Sequence, residues 1–325
     1  MKKDLTKLMD LTKEDILDIL NLADQMKKDL KLGKDHKVLA GKTLSLIFQR
    51  PSTRTRISFE TGMYQLGGQA LFLNMSDQAM FLNVVDIPFT PREPIQDTAR
   101  TLSRYVDGIV FRAYNQEDVD ALAKWSTVPV INGLSDFAHP CQTLADLMTI
   151  KDHMGALKDV RLAYVGDGNN VCNSLIVGSL LCGLKVSVAV PEGYDPHPDV
   201  LAFAKNITEK NPDDFLLTRS PKLAVQKANV LVTGKWTIRQ EPDEAEYEFE
   251  YDIKDTFSDF QINNSILDLA DPKAMVLHRL PAFRGDEISE EIFEAHASSI
   301  FDGVENRLHV QKAVMAILMG NQYRN

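Results

Sequence analysis

The sequence predicts an α/β protein made of two doubly wound parallel-sheet domains bridged by helices. Three observations support this fold class. The chain has 325 residues, which is more than one hydrophobic core usually organises. Short apolar runs alternate with helical patterns over residues 41–133, and this alternation is typical of a parallel sheet covered by helices. A second alternating set begins at Arg161, and the helical pattern Pro140–Met154 connects the two sets.

The first set begins with an N-terminal helix. Thr12 and Asp15 have the spacing of a capping box, and apolar residues from Ile16 to Met26 then recur on one helical face. Polar residues 27–37 are expected to form a connection. The predicted elements that follow are a strand at 43–48, a helix after Pro51, a strand at 70–74, a helix at 94–105, a strand at 108–112, a helix at 118–125 and a strand at 128–133.

The second set repeats the alternation. Its predicted strands lie at 161–166, 185–190, 230–234 and 275–280, with helical patterns between them and a terminal helix at 304–319. Residues 239–258 are acidic and show little periodicity, which fits either a solvated surface loop or a lid.

Composition excludes several functional classes. With 44% hydrophobic and 25% charged residues, the chain has the composition of an ordinary globular protein. No run is long and apolar enough to cross a bilayer, and the charged start lacks a signal-peptide core, so we expect a cytoplasmic protein without a membrane partner. A net charge of -10 disfavours nucleic acid as a partner. The three cysteines are not clustered, so we predict neither a disulfide framework nor a metal site.

The most informative stretch follows the first predicted strand. Every residue of Ser52-Thr53-Arg54-Thr55-Arg56 carries a donor suited to phosphate, at the predicted start of a helix. A first helical turn has unpaired backbone N–H groups and a positive dipole end, so we interpret this stretch as an anion site. The alternative is a capped helix start with two solvated arginines. Neither Gly-x-x-x-x-Gly-Lys nor Gly-x-Gly-x-x-Gly occurs there, so ATP or a dinucleotide is not expected.

Five segments together resemble the aspartate and ornithine carbamoyltransferase family. They are Ser52-Thr53-Arg54-Thr55-Arg56, Arg112, His139-Pro140-Cys141-Gln142, His278-Arg279-Leu280-Pro281 and Glu305-Asn306-Arg307. Their order and spacing cover nearly the whole chain, and Gly166-Asp167-Gly168-Asn169-Asn170 is similar to the ornithine branch. The resemblance implies transfer of the carbamoyl group of carbamoyl phosphate to an amine, and we expect no cofactor and no metal.

The resemblance also implies which residues bind which substrate. Residues 1–138 with the C-terminal helix 304–325 would form the carbamoyl-phosphate-binding domain, and residues 139–303 the amino-acid-binding domain. The residues expected to bind carbamoyl phosphate are Ser52, Thr53, Arg54, Thr55, Gln78, Arg112, His139, Gln142, Arg307 and the backbone carbonyl of Leu280. Thr55, Arg112 and His139 would stabilise the oxyanion that forms when a neutral amine attacks the carbonyl, before phosphate leaves. Taken singly, His139 also fits a packed histidine, Arg112 a surface strand end and Arg307 a partner of Glu305.

The acceptor end departs from the ornithine-type pattern. Ornithine-type sequences carry Cys where this chain has Arg279 and Asp where it has Gly234, and their Ser-Met-Gly is absent here. We expect Asn170, Gly234, Arg279 and Leu280 to bind the acceptor, with Arg279 also close to the reaction. These changes should weaken binding of an acceptor with two ammonium groups unless Glu241, Asp243, Glu244 or Glu246 substitutes for the lost acid.

The resemblance further implies a homotrimer in which each site borrows a loop from its neighbour. That loop, residues 78–93, is longer here than in a typical ornithine-type sequence, and Gln78 would be the borrowed residue.

Three hypotheses follow. The preferred one is an ornithine carbamoyltransferase that makes L-citrulline and phosphate, or runs in reverse in arginine catabolism. The second keeps the reaction but changes the acceptor to an acylated ornithine, lysine, putrescine or an acidic amino acid. The third is a non-catalytic carbamoyl-phosphate-binding homologue.

Overall fold

The computed structural model describes residues 3–75, 93–236 and 255–320. The chain divides into unit 1, Met1–Met148 with Glu305–Asn325, and unit 2, Thr149–Val304. Within the described ranges, no helix combines the length and the apolarity needed to cross a membrane.

Unit 1 is built on a four-stranded parallel sheet. Its strands are β1 (Thr43–Phe48), β2 (Gln69–Asn74), β3 (Gly108–Arg112) and β4 (Val130–Leu134), in the order β2-β1-β3-β4. The helices that alternate with them are α1 (Lys13–Lys31), α2 (Thr53–Gln65), α3 (Ile95–Tyr105) and α4 (Gln116–Trp125). The strand order changes direction between β1 and β3, and ligands of such sheets bind beyond the carboxyl ends of the strands at this point.

Unit 2 is also built on a parallel sheet, which has five strands. They are β5 (Arg161–Val165), β6 (Lys185–Ala189), β7 (Phe215–Thr218), β8 (Val230–Thr233) and β9 (Met275–His278), in the order β7-β6-β5-β8-β9. Here the order changes direction between β5 and β8. Two helices, α5 (Pro140–Met154) and α11 (Ala297–Met319), contain the division between the units. The other helices of unit 2 are α6 (Asn170–Leu181), α7 (Pro198–Ile207), α8 (Pro221–Ala224), α9 (Asn264–Leu267) and α10 (Glu290–Ala295).

The central strands are apolar along most of their length because helices cover both faces of a parallel sheet. Leu44, Leu46 and Ile47 of β1 have no exposed side-chain surface, and Val110 of β3 and Ile131 of β4 are equally buried. This burial anchors β1 and therefore holds the loop that follows it.

The structure confirms the α/β class with two parallel sheets and corrects several element bounds. The capping box is present: Thr12 Oγ1 accepts from Asp15 N, and Asp15 Oδ2 accepts from Thr12 N. Helix α1 continues to Lys31, because cations in a last turn are favourable at the negative end of the helix dipole. Strand β9 ends at His278, and Leu280 has a φ of 56°, outside the extended region.

Two further predictions were wrong or incomplete. Strand β7 was not predicted, because its four residues, Phe-Leu-Leu-Thr, are too few to show the alternation that distinguishes a strand. The terminal helix begins at Ala297 and not at 304. The predicted lid at 239–258 and the loop with Gln78 lie largely outside the described residues.

Candidate active site

The loop after β1 places Ser52 at the start of α2. Ser52 is the N-cap residue: its Oγ accepts a hydrogen bond from Thr55 N at 3.3 Å and donates one to Thr55 Oγ1 at 3.0 Å. Thr55 is fully buried. The hydroxyl pair therefore lies in the first turn of α2, where backbone N–H groups and the helix dipole favour an anion.

Arg307 of α11 connects this helix start to the predicted His-Pro-Cys-Gln motif. Its Nη2 donates to Thr55 Oγ1 at 2.7 Å and to His139 Nε2 at 3.4 Å, and its Nη1 donates to Gln142 Oε1 at 3.3 Å. Arg307, His139 and Gln142 are each about 95% buried, with exposures of 5%, 4% and 5%. We call Ser52, Thr55, His139, Gln142 and Arg307 the phosphate cluster; all five belong to unit 1.

Glu305, the alternative partner considered for Arg307, contacts two other side chains. Glu305 lies 3.3 Å from His309 Nε2 and 3.9 Å from Lys31 Nζ. Arg307 thus points its guanidinium toward Thr55, His139 and Gln142, and a buried cation needs such acceptors or an anionic ligand.

The burial of α5 changes the acidity of two of its side chains. Burial raises the pKa of Cys141 to about 12, against the opposing charge of Arg307, so the thiol stays neutral. Burial also raises the pKa of Asp146 to about 7, while a hydrogen bond from Gln142 and the charge of Arg307 act in the opposite direction. Gln142 Nε2 donates to Asp146 Oδ1 at 3.0 Å.

The remaining predicted residues of unit 1 lie around the loop after β1. Thr53, the first residue of α2, is exposed, and Arg54 is half-buried in the same turn. Arg112, at the end of β3, pairs in register with Phe48, and its Nε donates to Arg50 O at 3.2 Å. Gln78 lies outside the described residues.

In unit 2 the loop after β5 leads into the start of α6. Asn169 caps this helix: its Oδ1 accepts from Val171 N at 3.0 Å and from Cys172 N at 3.3 Å. Asn170, the predicted acceptor-binding residue, is the first residue of α6 and is half-buried. A Cβ at Gly168 would lie 2.3 Å from the carbonyl oxygen of Tyr194, so only glycine fits this turn.

Gly234 and Arg279 are in contact at the ends of β8 and β9. A Cβ at Gly234 would lie 2.7 Å from Arg279 Nε and 3.1 Å from Arg279 Cδ. Arg279 Nη2 donates to Lys235 O at 3.1 Å. Gly234 therefore leaves the space that the Arg279 side chain occupies, and these two departures from the ornithine-type pattern form one packing arrangement.

A buried pair supports the turn that follows Arg279. His278 Nε2 lies 3.0 Å from Glu287 Oε1, and His278 Nδ1 accepts from Leu280 N at 2.9 Å. Glu287 Oε1 also accepts from Phe283 N at 2.8 Å. Since Nδ1 is an acceptor, the ring proton sits on Nε2 and is donated to Glu287. We call Asn170, Gly234, Arg279 and Leu280, the residues that the sequence predicts to bind the acceptor, the acceptor cluster.

Two N–H donors of unit 2 are buried without a hydrogen-bond partner among the described residues. In the part of the chain that the structure describes, neither Arg279 Nε nor Trp236 Nε1 has a hydrogen-bond acceptor. The acidic candidates Glu241, Asp243, Glu244 and Glu246 lie outside that part. Among the described residues, no group of three or more His, Cys, Asp and Glu side chains could hold a metal ion.

Sequence reasoning missed two supporting carboxylates. Asp146 follows Gln142 by four residues on α5, which places both side chains on one helix face, and this spacing was the available signal. Glu287 is nine residues after His278 and has no comparable signal, because the turn that brings them together exists only in the folded chain.

Two family models match this chain. The model described as aspartate/ornithine carbamoyltransferase, carbamoyl-P binding domain, matches residues 3–152. The model described as aspartate/ornithine carbamoyltransferase, Asp/Orn binding domain, matches residues 158–318.

Individual proteins are similar over nearly the full length. An ornithine carbamoyltransferase of Thermococcus kodakarensis is 46% identical, over 98% of this chain and 96% of the relative. The solved structure of ornithine carbamoyltransferase from Pyrococcus furiosus has a TM-score of 0.87 at 44% identity, covering 98% of this chain and 97% of that one. Anabolic ornithine carbamoyltransferase from Campylobacter jejuni has a TM-score of 0.86 at 36% identity, covering 98% and 99%.

Proposed function

The chain belongs to the aspartate/ornithine carbamoyltransferase family, and from this premise we propose that it transfers the carbamoyl group of carbamoyl phosphate to L-ornithine, giving L-citrulline and phosphate. The observation that carries the proposal is the phosphate cluster. Buried Arg307 joins the hydroxyls at the start of α2 to His139 and Gln142, and all of these side chains lie in unit 1.

The chemistry of carbamoyl phosphate explains why such a cluster is needed. The phosphate is a dianion, so the groups that bind it must supply positive charge and N–H donors without competing water. We assign Ser52, Thr53, Arg54, Thr55 and Arg307 to the phosphate. A carbonyl carbon held next to a stabilised leaving group is then ready for attack by an amine, with proximity supplying much of the rate.

The rest of the reacting group needs both an oxyanion site and an acceptor for its NH2. We assign Thr55, Arg112 and His139 to the carbonyl oxygen, because negative charge develops there as the amine attacks. We assign Gln142 Oε1 and the backbone carbonyl of Leu280 to the carbamoyl NH2. The departing phosphate takes the amine proton, so no protein nucleophile is required.

For the acceptor we assign Asn170, Gly234, Arg279 and Leu280. The α-carboxylate of an amino acid needs N–H donors, and Arg279 Nε and Trp236 Nε1 are buried N–H groups without an acceptor among the described residues. A carboxylate would supply those missing partners. The division of substrates between residues 1–138 with 304–325 and residues 139–303 is part of this proposal.

We also propose that the enzyme is a homotrimer that works in the cytoplasm in arginine metabolism. The trimer and the borrowed residue Gln78 rest on the family resemblance. The cytoplasmic location is carried over from the sequence as an expectation.

The direct test is product formation by the purified full chain. Carbamoyl phosphate and L-ornithine should give citrulline and phosphate in equal amounts, above the rate of a control without protein that measures spontaneous decay. Phosphate release without citrulline, or citrulline at the control rate, would contradict the proposal.

A second candidate acceptor is favoured by the contact between Gly234 and Arg279. Position 234 offers no carboxylate, and a guanidinium nearby disfavours a second ammonium group. Acylated ornithine and acidic amino acids carry one amine and an additional neutral or anionic group. A panel of L-ornithine, acylated ornithine, lysine, putrescine and aspartate separates the candidates, since the preferred acceptor has the highest kcat/KM for carbamoylated product.

A further inference from the structure

A buried carboxyl group lies behind the phosphate cluster and has no role in the mechanism above. Asp146 is 4% exposed, and its Oδ1 accepts from Gln142 Nε2 at 3.0 Å. Gln142 Oε1 accepts from Arg307 Nη1, and Arg307 Nη2 donates to Thr55 Oγ1. A continuous hydrogen-bonded path therefore leads from Asp146 to the start of α2.

The path depends on which way the Gln142 amide points. Its oxygen faces Arg307, which can only donate, and its nitrogen faces Asp146. If the amide turned over, its NH2 would face the guanidinium N–H groups, donor against donor. An ionised carboxylate at position 146 only accepts and so selects the observed orientation. A protonated carboxyl can both donate and accept, so it supports either orientation.

We propose that Asp146 is a positioning residue for carbamoyl phosphate: its carboxylate holds the Gln142 amide with Oε1 toward Arg307, where that oxygen accepts from the carbamoyl NH2. The inference rests on the proposed function, because it takes carbamoyl phosphate as the ligand of the phosphate cluster. Asp146 acts only through Gln142 and contacts no reacting atom.

In its surroundings the Asp146 carboxyl gains or loses its proton near neutral pH. Burial raises the pKa of its carboxyl to about 7, while the Gln142 hydrogen bond and the Arg307 charge from α11 oppose that rise. On α5 the Cys141 thiol stays neutral, because burial raises its pKa to about 12, and His139 contacts Arg307. Above this pH the carboxylate and Arg307 both select the observed amide orientation; below it only Arg307 does.

The experiment compares the Kd of carbamoyl phosphate for the wild-type chain and for Asp146→Asn, by calorimetry on either side of neutral pH. Asn has the size of Asp and keeps an acceptor for Gln142 Nε2, but it can also donate, as the protonated carboxyl can. At about pH 5.5 the two Kd values should agree, and at about pH 8.5 the variant should bind about tenfold more weakly, as expected for loss of one charge-assisted hydrogen bond. The ratio of the two values cancels the titration of the ligand itself.

A control variant and a separate assay distinguish failure of this inference from failure of the proposed function. Asp152→Asn removes an exposed carboxylate from the same helix and should match the wild type at both pH values. The inference would be overturned if the ratio of the Asp146→Asn Kd to the wild-type Kd stayed at one, or if it did not change with pH. Wild-type chain that binds carbamoyl phosphate but forms no citrulline would contradict the proposed function instead and leave the Kd comparison valid.

Discussion

The phosphate cluster and the acceptor cluster differ in what holds their side chains. In the phosphate cluster, side chains bind one another: Arg307 bridges Thr55 and Gln142, and Gln142 reaches Asp146. In the acceptor cluster, Arg279 is held to the backbone, because its Nη2 donates to the Lys235 carbonyl.

This difference fits the departures from the family pattern at Gly234 and Arg279. A network of side chains has one arrangement in which every partner is satisfied, so changing one member disturbs the others. A side chain held to backbone atoms can be replaced with fewer consequences, provided that space is available. Two of the departures noted in the sequence, Gly234 and Arg279, lie in the acceptor cluster and fit each other.

The largest expected effect concerns the stability of unit 1. Because burial raises the pKa of Asp146 to about 7, the folded chain binds a proton that the unfolded chain releases near its ordinary value of 3.8. Stability from this group is therefore complete below that lower value and is lost as pH rises through about 7. At 1.36 kcal/mol per pH unit between the two pKa values, the loss amounts to about 4 kcal/mol.

Asp146→Asn cannot titrate, so its unfolding free energy should lack this decline. Thermal melts of both proteins across the pH range check it: the variant should become the more stable of the two above neutral pH. A wild-type melting temperature that declined with pH no more than that of the variant would show that Asp146 is not a buried, titrating group.

The next largest expected effect is on the binding of carbamoyl phosphate, and it tests whether Arg54 belongs to the anion site while its neighbour Arg56 does not. Arg54→Ala should weaken binding of carbamoyl phosphate by about 3 kcal/mol, or roughly a hundredfold, because a desolvated phosphate loses a bidentate partner. Arg56→Ala is the matched control: Arg56 is exposed, pairs with Glu60 and stacks on Phe72. Calorimetry gives the Kd of carbamoyl phosphate for the two variants, and equal values would show that Arg54 does not bind the phosphate.

The smallest effect tests the contact in the acceptor cluster. Gly234→Ala places a methyl group where Arg279 lies, so it should displace that side chain and raise the acceptor KM several-fold, with the Kd of carbamoyl phosphate unchanged. When Arg279 is already replaced by Cys, Gly234→Ala should raise the acceptor KM less. The difference corresponds to a coupling free energy between the two residues of about 1 kcal/mol. Additive effects in this double-mutant cycle would mean that the two residues do not act together.

Local patterns were sufficient for most of the fold and for the helix start at Ser52. Strand β1 and helix α5 follow from periodicity, and Ser52 follows from the preference of hydroxyl residues for helix starts. The end of β9 was placed too late, because apolar composition continues past His278 while the backbone already turns at Leu280.

By itself, the sequence determined the two-sheet architecture, the helix start at Ser52 and the motifs that mark the family, because each depends on neighbours within a few residues. Only the tertiary structure decided which partners these residues have. Arg307 meets Thr55 across 252 positions of chain, and no local pattern specifies such a contact. The burial that makes Asp146 a weak acid and the space at Gly234 that admits Arg279 likewise exist only once distant segments have packed together.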